Sequence, residues 1–164
     1  MSRYRPPRSA GTPLITASGA QRLRDELDEL WRVKRPAVTQ SVSEAAALGD
    51  RSENAEYIYG KKMLREIDSR LRFLRKRLEA LKVVDQPPSD PTKIYFSAYV
   101  ELEDEDGKAL CVRIVGPDEI DPKQQHISID SPMARALLGK TLDDEICVQA
   151  PGGERLYWVT AIRY

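Results

Sequence analysis

A chain of 164 residues, 41% apolar and 32% charged, can bury one or two modest cores but cannot build a large enzyme body. Its 26 basic and 26 acidic residues cancel, yet they are segregated: residues 61–82 carry nine Lys and Arg against three acids, whereas from Thr92 onward acids exceed bases by five. No apolar stretch approaches the length of a membrane span, and residues 1–13 are rich in Arg and Pro with no hydrophobic signal core, so a soluble, cytoplasmic, monomeric protein with a disordered tail over residues 1–13 is expected.

Residues 14–84 read as a helical hairpin. Ser18 is the candidate N-cap. Leu23, Leu27 and Leu30 then recur at four- and three-residue steps, and Trp31, Val38, Val42, Ala45 and Leu48 carry the apolar stripe onward. Pro36 interrupts this helix. Because a mid-helix proline loses a hydrogen bond and clashes with the preceding turn, a kink is expected there, where the stripe shifts around Trp31. Past a short tip, Tyr57, Gly60, Leu64, Ile67, Leu71, Leu74, Leu78 and Leu81 alternate three- and four-residue steps, the pattern of a coiled-coil seam. Two helices, each on the order of 45 Å long at 1.5 Å per residue, must return antiparallel when only a few residues join them.

Residues 85–92 hold three prolines and read as a linker. From residue 93 to 164 the pattern changes to short strands. Residues 94–103 and 109–115 flank a turn at Asp106-Gly107, which predicts a β-hairpin. Ser131, Pro132 and Gly139 bracket one short helix as cap, first residue and stop. Two further strands, 145–149 and 156–162, flank Pro151-Gly152-Gly153. The predicted fold is α+β: an antiparallel two-helix coiled coil followed by an antiparallel sheet with one short helix. Cys111 and Cys147 fall inside the strand-like runs and read as buried thiols, not as a disulfide or a metal site.

The tip, Leu48-Gly49-Asp50-Arg51-Ser52-Glu53-Asn54-Ala55-Glu56-Tyr57, carries the chemistry. Asp50 and Glu53, three residues apart, are expected at the start of the second helix. One reading is a capping-box-like pair that satisfies free N–H groups at a helix start. The other is a pair of ligands carried to a partner, favoured because the end of a long rod has no packed core to support. Two carboxylates are too few for a closed Mg²⁺ site, which prefers six oxygens. They can complete one owned by another molecule, as in two-metal phosphoryl chemistry. Behind the tip, Lys61, Lys62, Arg65, Arg70, Arg72, Arg75, Lys76 and Arg77 are either a solvated face or a track for single-stranded nucleic acid.

Other signals fail. The acidic run 101–106 lacks the ligand spacing of a calcium loop. His126 stands without a His or Cys cluster, and Pro151-Gly152-Gly153 precedes no helix that could cradle phosphate. The chain is therefore not expected to be an enzyme by itself.

Three segments in order, TPLITASGAQRLRDELDELW, LGDRSENAEY and SIDSPMARALLGK, resemble the Gre family of transcript-cleavage factors, and the resemblance spans residues 12–164. It implies that the C-terminal half is FKBP-like. It also implies that the hairpin enters the secondary channel of bacterial RNA polymerase and stimulates Mg²⁺-dependent cleavage of backtracked nascent RNA. Carried over by position, Asp50 and Glu53 would hold Mg²⁺ jointly with the polymerase, with Asn54 a supporting polar group. Lys61, Lys62, Arg65 and Arg72 would accompany the RNA 3′ segment, and Asp130, Ser131 and Pro132 would dock on the polymerase. Taken locally, that last trio is also an ordinary capped helix start. The competing reading is a regulator that occupies the same channel without promoting cleavage. A prolyl isomerase is weaker, since a shared fold does not confer function.

Overall fold

The structure, a computed structural model, describes residues 10–164; most of the expected disordered tail, residues 1–9, lies outside the described residues. The chain divides into two compact units, residues 20–81 and the remainder. Among the described residues no helix is long and apolar enough to cross a membrane.

In the hairpin unit, helix α1 (Ala17–Glu29) runs into a π-helical turn (Leu30–Lys34), then α2 (Arg35–Ala47); after a tip, α3 (Ala55–Ala80) returns. The partners across the hairpin fall in number on one helix as they rise on the other. Arg70 donates to both carboxylate oxygens of Glu26 at 2.7 and 2.9 Å, Arg35 to Asp68 at 2.7 Å, and Asn54 to the Ala45 carbonyl at 2.8 Å. That is an antiparallel pairing. These surface pairs set register more than they stabilise. Burial of Leu23, Leu30, Ala45, Ile67, Leu71 and Leu74 supplies the main driving force. Gly60 sits on this seam because a Cβ there would lie 2.6 Å from Cγ2 of Val42.

Two details of the first helix differ from expectation. The cap is Thr16, whose Oγ1 accepts from the Gly19 N–H at 3.1 Å, not Ser18. The break anticipated at Pro36 is the π turn just before it, where the Arg35 N–H reaches back to the Leu30 carbonyl. Pro36 has no N–H to give, and its ring would press on the carbonyl four residues earlier, so one extra residue in the turn relieves both problems. An inserted residue rotates the helix before it by about 100° relative to the helix after it. Trp31 consequently leaves the stripe, is 49% exposed, and has the guanidiniums of Arg75 and Arg35 4.8 and 5.7 Å from its ring centre.

The second unit contains a short parallel pair, β1 (Leu14–Thr16) with β2 (Lys82–Val84). Its main sheet comprises β3 (Tyr99–Asp104), β4 (Ala109–Val115), β5 (His126–Ser128), β6 (Glu145–Ala150) and β7 (Gly153–Arg163), ordered β5-β4-β3-β7-β6. The expected hairpin, short helix and last two strands all form, but β5 pairs in parallel with β4, so the sheet is mixed and not purely antiparallel. Residues 94–98, expected as strand, lie outside β3, although Ile94 and Ala98 are fully buried. Helix α4 (Pro132–Leu137) buries Ala134 and Leu137 against Val100, Leu102, Ile114 and Val159. Period-two alternation explains a further correction: in β6 Ile146 and Val148 face this core, so Cys147 between them is exposed and Cys111 is only partly buried.

The described residues before 14 also belong to this unit. Thr12 donates its N–H to Asp130 at 2.8 Å and its hydroxyl to the same carboxylate, which ties residues 10–13 to this unit. Sequence reading also missed Glu119. Only 4% exposed, it follows Pro117 in a 3₁₀ turn and accepts from the N–H groups of Thr16 at 2.9 Å and Gly116 at 3.2 Å, and from the Thr16 hydroxyl. The signal was present: Gly116-Pro117-Asp118-Glu119 has the spacing at which a third-position Glu reaches back to the cap N–H. Gly19 is required here, since its Cβ would fall 2.0 Å from Oε1 of Glu119.

Candidate functional site: the acidic tip

Between α2 and α3 the chain turns through residues 48–54. Leu48 closes α2, its N–H bonded to the Ala45 carbonyl at 3.2 Å. Gly49 comes next at φ +138°, a conformation that side-chain-bearing residues rarely adopt. Asp50 and Glu53 lie in this turn and not in the first turn of α3 as expected. The N-cap of α3 is Asn54, whose Oδ1 accepts from the Tyr57 N–H at 3.1 Å while its Nδ2 donates to the Ala45 carbonyl at 2.8 Å. One amide therefore caps the second helix and fastens it to the end of the first. With the cap taken by Asn54, the capping-box reading of Asp50 and Glu53 fails: neither satisfies the helix start.

Both carboxylates are exposed. Oδ1 of Asp50 accepts from the N–H of Ser52 at 2.8 Å and from its hydroxyl at 2.7 Å, an Asx turn that orients the side chain. These two bonds, the backbone one first, hold the carboxyl below its ordinary range. Oδ2 of Asp50 and both carboxylate oxygens of Glu53 accept no hydrogen bond from the described residues. Three oxygens at an exposed turn thus remain available to a cation. Among the described residues no group of three or more His, Cys, Asp or Glu is arranged to hold a metal. The tip fits Mg²⁺ as a partial set of hard oxygen donors and cannot by itself supply six.

The eight basic residues behind the tip divide. Arg70 is bound to Glu26, Arg77 is 7% exposed, and Arg75 lies over Trp31. Lys61, Lys62, Arg65, Arg72 and Lys76 are exposed and form no ion pair with described residues. At 100° per residue Lys61, Arg65, Arg72 and Lys76 fall within an arc of about 60°, a cationic line roughly 22 Å long. Arg72 also borders a recess with Trp31, Arg35 and Leu71.

The second predicted cluster is built as a capped helix start. Ser131 Oγ accepts from the Ala134 N–H at 3.2 Å and Pro132 takes the first helical position, while Asp130 holds Thr12. Asp130 and Ser131 are partly buried and Pro132 is exposed. Beside them runs an apolar groove of about 420 Å³ lined in part by Leu110, Ile120, His126 and Met133.

Two family models match the chain. Residues 13–83 match the N-terminal domain of transcription elongation factors GreA and GreB, and residues 88–164 match their C-terminal domain. Transcription elongation factor GreB of Pseudomonas aeruginosa is 71% identical over 164 residues, covering all of this chain and 98% of its own. That of Yersinia pestis is 61% identical, covering 92% of this chain and 88% of its own. That of Xanthomonas axonopodis pv. citri is 56% identical, covering 100% and 98%.

Proposed function

This chain belongs to the GreA/GreB family of transcription elongation factors, whose known role is to stimulate transcript cleavage, and we propose that it does so by lending Asp50 and Glu53 to a Mg²⁺ site that RNA polymerase completes. The observation that carries this reading is the set of three unengaged carboxylate oxygens at the exposed turn. A Mg²⁺ ion shared there would lower the pKa of water and stabilise charge on a reacting phosphate.

The chain's own groups divide the remaining work. Ser52 orients Asp50 and lowers its pKa. Asn54 acts through the backbone: with both amide ends engaged, it holds the turn's shape and is a positioning residue, not a ligand. Lys61, Arg65 and Arg72 on the cationic line, with Lys62 beside it, attract the RNA 3′ segment of a backtracked complex by phosphate neutralisation without base recognition. Asp130, Ser131 and Pro132, next to the apolar groove, form the docking edge for polymerase. The protein is an activator of the polymerase's nuclease and not a nuclease alone, and it acts as a monomer in the cytoplasm, where transcription takes place.

The test is cleavage of RNA in stalled, backtracked polymerase complexes. The chain alone should leave RNA intact; with polymerase and Mg²⁺ it should shorten RNA from the 3′ end. Asp50→Asn should bind polymerase normally and lose at least about tenfold in maximal rate. An undiminished rate would end the metal role, and binding without any stimulation by the unsubstituted chain would make it a channel-occupying regulator instead.

A further inference from the structure

Arg51 stands between the two acids of the tip and pairs with neither. Among the described residues it forms no ion pair; its guanidinium lies over the Tyr57 ring, 5.9 Å from the centroid. A guanidinium and a carboxylate can close a bidentate pair, and Arg51 closes none among the described residues. Its guanidinium sits over the Tyr57 ring, and Glu53 stays unengaged. The contact with Tyr57 is weak at an exposed position, of the order at which a single charge-assisted hydrogen bond exceeds it. Arg51 is therefore parked and free to leave.

Charge decides what it leaves for. Residues 48–57 contain three acids, Asp50, Glu53 and Glu56, and Arg51 is their one base. An RNA strand reaching this turn meets net negative charge that repels its phosphates. The next cations, Lys61 and Lys62, begin six residues into α3, roughly 9 Å back along the helix at 1.5 Å per residue. Arg51 alone can offset the repulsion where the acids act. Its planar fork of donors suits two oxygens of one phosphate.

We propose that Arg51 is the phosphate-binding residue of the tip: its guanidinium moves from the Tyr57 ring to the non-bridging oxygens of the RNA phosphate beside the shared ion. The proposal rests on the reading that Asp50 and Glu53 meet an RNA phosphodiester. It gives the turn a division of labour, with carboxylates toward the metal and the guanidinium toward the strand.

A binding measurement separates this from the parent reading. Affinity is determined, without Mg²⁺ and in an Asp50→Asn background so that no RNA is cut, for polymerase complexes with and without extruded RNA, across a series of salt concentrations. Arg51→Ala should weaken binding about tenfold to the complex with extruded RNA only, and its log-affinity slope against log salt should fall by roughly 0.7, the value for one single-strand phosphate contact. Arg51→Lys should keep the slope but recover only part of the affinity, and Tyr57→Phe, which preserves the ring, should change neither. Equal weakening of both complexes would overturn the proposal in favour of a contact with polymerase itself, and unchanged affinity for both would overturn it outright. Failure of the unsubstituted chain to stimulate cleavage sinks the parent reading, while these binding arms still judge Arg51.

Discussion

The two units each carry acidic side chains in tight turns and use them in opposite ways. In the sheet unit Glu119 is buried and engaged at both oxygens: they take two backbone N–H groups and a hydroxyl, fixing strand β1 and the first residues of α1 to the turn after β4. Asp130 similarly takes both donors of Thr12. In the hairpin unit Asp50 gives one oxygen to Ser52, and Glu53 gives none. The residue types and the turn chemistry are alike, and the difference lies in how many donors the surroundings bring. A buried carboxylate with both oxygens engaged by its own chain, such as Glu119, holds a fold together. One left unanswered at a surface is available to something else.

The largest expected effect tests the first half of that contrast. Glu119→Ala strands the N–H groups of Thr16 and Gly116 in a buried site and should cost about 3 kcal/mol of stability, since each unsatisfied buried donor costs about 1–3 kcal/mol. Urea unfolding monitored by Trp158, in the sheet unit, would measure it. Asp50→Ala, followed by Trp31 in the hairpin unit, removes only the Ser52 bonds of an exposed turn and should cost far less. Equal losses for the two substitutions would erase the distinction between a spent and an available carboxylate.

A smaller effect sharpens the comparison inside the tip itself. Asn54→Ala removes both the cap of α3 and the tie to Ala45, for a loss of about 2 kcal/mol in the hairpin. Asn54→Asp keeps an acceptor for the Tyr57 N–H but has no donor for the Ala45 carbonyl, so about half of the loss should return. Hydrogen exchange at Tyr57 separates them: protection should collapse in the alanine variant and persist in the aspartate variant. If both variants exchange alike, the Oδ1 acceptor at residue 54 is not what protects the Tyr57 N–H.

The α+β class, the hairpin and the seam were legible because their signals are periodic: a three-and-four step over Gly60, Ile67, Leu71 and Leu74 admits few alternatives. The illegible features depended on partners distant in the chain. Glu119 meets Thr16 across 103 residues, and Asp130 meets Thr12 across 118, separations that local pattern does not encode. The parallel pairing of β4 with β5 is of the same kind. Trp31 was misplaced for a local reason, because a π turn breaks the 3.6-residue period that the stripe assumes. At the tip the acids were found by residue type, but their local setting was misjudged, because Asn54, one residue beyond Glu53, is the better cap. The pair was visible in sequence; its freedom from the helix start was not.

The smallest effect concerns protonation at Asp50. Its folded pKa is depressed, first by the Ser52 N–H and then by the Ser52 hydroxyl. For a depressed carboxyl the stabilising contribution is fully present above the unfolded value and is lost as pH falls through the folded one. Near neutrality Asp50 is ionised in both states, so an inflection there in the pH profile of stimulated cleavage must belong to another group. Ser52→Ala deletes the lesser of the two causes and should raise the Asp50 pKa only part of the way to its ordinary value, read from the side-chain carboxyl carbon in an NMR titration. A full return would mean that the hydroxyl, and not the turn of the backbone, sets the depression of this carboxyl, and the orientation of its oxygens would then hang on one rotatable side chain.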